Sequence, residues 1–135
     1  MYRILYISSA PTPLCDREIQ QILESSRRNN EASGITGLLV AGGRRFLQVL
    51  EGPEDAVNAT YQRISRDPRH RAMVKLGETS IAKRSFGDWS MGFQKGGDSD
   101  SGSLQQQVAE IIAPLEDATL KAYFNGFAER HNALK

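Results

Sequence analysis

A glutamine stands inside the apolar run Phe46-Leu47-Gln48-Val49-Leu50, and a tyrosine inside Ile4-Leu5-Tyr6-Ile7. A buried amide that finds no hydrogen-bond partner is penalised by a few kcal/mol, so Gln48 must have partners. Taken alone, Gln48 is either exposed at a sheet edge, or a satisfied structural amide, or a side chain aimed at the polar edge of a ligand. Tyr6 poses the same choice between a core tyrosine and a functional one. If both side chains share one sheet face, hydroxyl and amide can bond to each other and to a cofactor. Asn29-Asn30 adds a second pair of amides. They read either as a helix-end cap and turn or as groups whose adjacent donor and acceptor match a heterocyclic imide edge.

Other chemistries find little support. His70 and His131 lie far apart, and no acid, histidine and nucleophile set stands out. Neither HExxH nor CxxC spacing occurs. Gly34-Ile35-Thr36-Gly37 is not a dinucleotide fingerprint, and Gly42-Gly43 reads as a turn. The single cysteine, Cys15, makes an internal disulfide impossible and reads as a bystander thiol.

Composition narrows the class further. A length of 135 residues suits one domain with its own core. Seventeen Lys and Arg stand against 16 Asp and Glu, and a net charge of +1 gives no case for nucleic-acid steering. Arg27-Arg28 and Arg44-Arg45 read as solvated faces. No apolar run is long enough for a membrane span, and Met1-Tyr2-Arg3 leads straight into a strand pattern without a signal segment. A cytoplasmic protein is the expectation.

The elements that must position Tyr6 and Gln48 follow from periodicity. Tyr2 to Ile7 predicts a central strand. Asp16 predicts a helix cap, Ile19, Ile22, Leu23 and Ser26 a buried stripe, and Asn29, Asn30 and Gly34 the helix end. Ile35 to Val40, the Gly42-Gly43 turn and Phe46 to Leu50 predict a hairpin. Pro53-Glu54-Asp55 opens a second helix with Val57, Tyr61 and Ile64 inward, closed by Asp67-Pro68. Met73 to Leu76 and Trp89 to Phe93 predict two more strands. The class is α+β: a ferredoxin-like βαββαβ core with an additional fifth strand and C-terminal helices. Residues 1–95 read as the main globular unit, 96–103 as a flexible linker and 104–135 as a helical extension. Leu104, Val108, Ile111 and Ile112 mark one C-terminal helix; Leu120, Tyr123, Phe124 and Phe127 mark another from about Asp117. These helices either pack on the open sheet face or serve as an interface.

The ordered set Tyr6-Ile7-Ser8, Glu24 to Asn30, Gly34 to Leu39, Phe46 to Gly52, Arg63-Ile64, Asp67-Pro68-Arg69-His70, Arg84-Ser85-Phe86 and Trp89-Ser90-Met91 resembles a BLUF domain, a blue-light sensor using flavin. The resemblance spans about residues 2 to 93 and weakens beyond. It implies a bound flavin: FAD, with FMN or riboflavin able to occupy the same pocket. It implies that Tyr6 is the light-driven electron and proton donor, and that Gln48 is the amide whose hydrogen bonding to the flavin changes. Asn30 matches a ligand to the imide edge, and Asn29 and Arg63 match positions near the polar rim. Ile22, Phe46 and Ile64 are wall candidates, and Asp67, Arg69 and His70 fit a segment near the ribityl side.

Trp89 and Met91 share a face and are either ordinary core residues or the route by which the signal leaves. The resemblance further implies a separate downstream protein, with homo-oligomerisation also open. Two rival readings are a light-independent flavin-binding redox module and an interaction domain with a vestigial pocket.

Overall fold

The structure, a computed structural model, describes residues 1–11, 15–42, 44–68, 70–86, 92–95 and 104–131. The first strand, β1, runs Tyr2–Ser9, followed by helix α1 over Asp16–Ser33. Strands β2 (Thr36–Gly42) and β3 (Arg45–Gly52) form a hairpin, and helix α2 spans Glu54–Ser65. Strands β4 (Arg71–Ser80) and β5 (Gly92–Lys95) precede helices α3 (Leu104–Ile112) and α4 (Ala118–His131). The sheet order is β4-β1-β3-β2-β5, antiparallel except where β5 joins β2 in parallel. This is the ferredoxin-like core with the added strand.

Alternation along the strands divides the apolar residues between two cores. Ile4, Leu39, Ala41, Phe46 and Leu50 face α1 and α2, where Ile19, Leu23 and Val57 meet them. Leu5, Leu38, Val40, Leu47 and Val49 face the other way, onto Val108, Ile112, Leu120, Phe124 and Phe127. The C-terminal helices therefore cover the second sheet face. Tyr123, read as part of the α4 stripe, is 39% exposed and lies at its border.

Three boundaries differ from the sequence reading. Cys15, not Asp16, holds the N-cap position of α1, and its N–H donates to the Glu18 carboxylate at 3.2 Å. Asp16 falls in the first turn, where the helix dipole favours an acid. At the other end, Asn29 and Asn30 are helical; the chain leaves α1 at Gly34, with φ of 71°. The N–H groups of Ile35 and Gly34 donate back to the carbonyls of Asn30 (2.8 Å) and Glu31 (3.5 Å). That pairing is a Schellman closure, which needs the left-handed conformation glycine tolerates. Finally, β4 is ten residues long, and its polar ends hide it from a periodicity argument.

Trp89 and Met91 lie outside the described residues, as do Arg69 and the linker 96–103; the described part of the fifth strand is Gly92–Lys95.

Candidate functional site

Tyr6 and Gln48 are directly opposed in the register of β1 and β3, and Leu39 of β2 flanks Gln48 on its other side. β3 is therefore an interior strand, and edge exposure is not the explanation for its glutamine. Both residues lie on the face covered by α1 and α2; Tyr6 is fully buried and Gln48 nearly so. The Tyr6 hydroxyl donates to Gln48 Oε1 in a short hydrogen bond. The two polar groups thus answer each other's burial.

The phenol is held tightly. Its ring meets Tyr61 of α2 edge to face, with centroids 5.2 Å apart, and Lys75 Nζ of β4 lies 4.9 Å from the Tyr61 ring centre. Burial, reinforced by the neighbouring Tyr61, pushes the Tyr6 hydroxyl far above the ordinary tyrosine range. Burial thus favours the neutral phenol over the phenolate at Tyr6. Two residues along β1, Ser8 Oγ lies 3.0 Å from His70 Nδ1, and the imidazole packs against Phe46 at 5.3 Å.

Gln48 forms part of the wall of a cavity of about 210 Å³ between α1 and α2. From α1 come Ile22, Asn29 and Asn30; from α2 and the turn after it come Arg63, Ile64, Asp67 and His70. Asn30, at 2% exposure, sits in the last turn of α1, and its place there reflects burial winning over the usual preference of asparagine for caps. Tyr6 and Phe46 do not line the cavity. Tyr6 stands behind Gln48, and Phe46 supports His70.

The sequence reading missed Ser25, Ser26, Arg28 and Thr60 as lining residues. Arg28 had been assigned to a solvated face; it is exposed and also borders the cavity. The overlooked signal is spacing, since Ile22, Ser25, Ser26 and Asn29 form one stripe of α1. A second cavity, about 200 Å³, lies on the opposite sheet face beside Leu5, Leu76 and Leu120, and contains none of the predicted site residues. Among the described residues no cluster of His, Cys, Asp and Glu could hold a metal, and no helix is long and apolar enough to cross a membrane.

The profile of the family described as sensors of blue light using FAD matches residues 1–92. The chain is 34% identical over 115 residues to the photoactivated adenylate cyclase subunit beta of Euglena longa, covering 84% of this chain and 12% of that protein. It is 37% identical over 75 residues to the blue light- and temperature-regulated antirepressor BluF of Escherichia coli (strain K12), 56% of this chain and 19% of the relative. Among solved structures, the dark-state BLUF protein BlrB is similar at a TM-score of 0.71 and 28% identity, covering 96% of both chains. The manganese/cy-diGMP complex of BlrP1 from Klebsiella pneumoniae gives 0.79 and 28%, over 95% of this chain and 32% of that one. The chain thus spans about an eighth of the cyclase's length, and it corresponds to the sensor portion, not the catalytic one.

Proposed function

The chain belongs to the BLUF family of flavin-based blue-light sensors, and on that premise we propose that the cleft between α1 and α2 holds the flavin by its imide edge while Tyr6 and Gln48 turn light into a hydrogen-bond change. The observation that carries this reading is the Tyr6–Gln48 hydrogen bond set into the wall of the cavity.

The donor set suits a flavin. Asn30 and Gln48 each present a carbonyl and an amino group, the complement of an imide edge. Ile22 and Ile64 face each other from the two helices as apolar walls for a ring. Arg28 and Arg63 are exposed at the margin, where guanidinium groups favour phosphate. A cavity of about 210 Å³ is smaller than the roughly 300–1,000 Å³ of pockets that enclose a whole ligand. That size fits a ring held inside with its tail toward the arginines. Two cationic groups there favour FAD or FMN over riboflavin, and FAD is the assignment made here. Asn29, Asp67 and His70 line the same cavity and fit its polar rim and ribityl side, where the family resemblance also puts Arg69, outside the described residues.

When bound, the flavin supplies blue absorption and, once excited, an acceptor for an electron. Tyr6 provides that electron, because its phenol is oxidisable and bonds directly to Gln48 in the cavity wall. Its proton leaves along the bond already made to Gln48 Oε1, since oxidation makes a phenol strongly acidic. Keeping Tyr6 neutral by burial ensures that the proton is present to be moved. Gln48 settles with its amide rotated or tautomerised, so the donor it offers the cavity changes after Tyr6 has regained electron and proton. Inside a low-dielectric wall such a change carries more energy than it would in water.

The change then passes through Trp89 or Met91 to β5, and from β5 to α3 and α4. In this reading residues 1–95 are the sensor, 96–103 the linker and 104–135 the output extension. The recipient is a separate protein, or a second copy of the chain, in the cytoplasm.

Absorption spectra in the dark, after blue light and during recovery test the assignment. Wild type should show a reversible red shift of the flavin band. Tyr6→Phe and Gln48→Leu should bind flavin and lose that shift. A full shift in either variant removes the role assigned to it, and bound flavin with no shift in wild type points to a light-independent redox module.

A further inference from the structure

Glu51, near the end of β3, is fully buried, three residues from Gln48 on the same strand. Its Oε1 accepts the backbone N–H of Phe86 at 2.5 Å and the Thr36 hydroxyl at 3.4 Å. Its Oε2 is buried with no hydrogen-bond partner. The neighbouring Arg84 directs its guanidinium elsewhere, to the Glu51 carbonyl (3.1 Å), Thr36 Oγ1 (3.0 Å) and the Gly34 carbonyl (2.7 Å). Residues 84–86 are thereby tied to the open end of the β2–β3 hairpin. Phe86 itself is buried in the core beneath the C-terminal helices, its ring 6.4 Å from that of Phe124 on α4.

A buried carboxyl is a costly anchor for a loop when one of its oxygens is unsatisfied. What it contributes is geometric. One short bond to a single backbone N–H is either made or broken, and breaking it strands the remaining polar groups without solvent. A small displacement of β3 is therefore felt at Phe86 as a discrete change. We propose that Glu51 is a positioning residue that couples β3, the strand carrying Gln48, to α4 through the amide and ring of Phe86. The coupling rests on the reading of Gln48 as the light-responsive group, and it adds a second connection from that strand to the C-terminal helices beside the one through β5.

Hydrogen exchange on the flavin-loaded full chain, dark and illuminated, tests it with the flavin spectrum read on the same samples. Glu51→Leu should keep the reversible red shift. It should speed exchange of the Phe86 amide about tenfold, the change expected from loss of one hydrogen bond, and remove at least half of the light–dark difference on α4. Glu51→Gln retains an acceptor oxygen and should restore both. Should Glu51→Leu fail to fold, Phe86→Leu keeps the amide bond but loses the ring contact, and it too should diminish the α4 difference while sparing the red shift. A light–dark difference on α4 as large as wild type in either leucine variant overturns the coupling and leaves the flavin reading standing. Wild type that shows no red shift overturns the flavin reading, and the coupling with it; wild type that shifts without any response on α4 overturns the coupling alone.

Discussion

A tyrosine that must surrender a proton only on demand has to be neutral beforehand. At Tyr6 this follows from burial, and Tyr61 edge-on to the ring strengthens it. Tyr2 offers a contrast at the surface: its hydroxyl donates to Glu78 at 2.7 Å, and that bond above all pushes it up to about 12. The consequence for Tyr6 can be measured. Native protein titrated to about pH 11, a unit above the ordinary tyrosine value, should develop the same ultraviolet phenolate absorbance in wild type and in Tyr6→Phe. A wild-type curve larger by one phenolate before unfolding would show that Tyr6 ionises in the folded state. The same logic explains why Gln48 was conspicuous in the sequence while Thr60 was not. An amide inside a five-residue apolar run loses the explanation of edge exposure once its strand is central. A threonine on a mixed helix looks like any partly solvated position until the facing helix is in place.

The elements were legible where one face is apolar and opaque where tertiary context overrode local preference. Continuous apolar runs located β1, β2 and β3, and turn chemistry joined the hairpin, so a shared face for Tyr6 and Gln48 could be posed as a condition, which the register meets. Gly34 closes α1 as its sequence suggests, but the paired asparagines, residues that favour caps, lie within the helix, which carries Asn30 into the cavity. Polar cavity-facing residues such as Ser25 and Arg28 carry no hydrophobic signal at all. The hairpin also depends on a constraint that periodicity does not display. A Cβ placed on Gly37 would fall 2.0 Å from the Val49 carbonyl oxygen, one residue from Gln48 on β3. Gly37→Ala should therefore destabilise the protein by about 1–3 kcal/mol, the usual penalty of overpacking, and lower flavin occupancy by disturbing the wall. Gly77→Ala, with nothing within 4 Å of the added atom, should stay within about 0.5 kcal/mol of wild type. Denaturant midpoints and the ratio of flavin to protein absorbance would check both, and equal effects of the two substitutions would contradict the close approach.

For the molecule as a whole, the decisive feature is that α3 and α4 close the sheet face opposite the cavity, placing one five-stranded sheet between the sensing site and the C-terminal helices. An ion pair helps to hold that arrangement. Asp117 accepts the Leu120 N–H at 3.0 Å at the start of α4, and its other oxygen meets Arg3 of β1 at 2.6 Å. The cap first, and then Arg3, holds the Asp117 carboxyl below its ordinary value. A carboxyl depressed in the folded state stabilises it fully above the unfolded value, about 3.9, and that stabilisation is lost as pH falls through the lower folded value. Asp117→Asn keeps a capping oxygen but abolishes the charge. It should therefore be less stable than wild type by about 0.5–1 kcal/mol at neutral pH, given a partly exposed pair. The two proteins should converge as pH falls through the depressed folded value, where the wild-type carboxyl becomes protonated as well. Denaturant unfolding of both at neutral and acid pH decides the matter: a gap that persists undiminished in acid would mean that α4 is held to β1 by shape alone, without this charge.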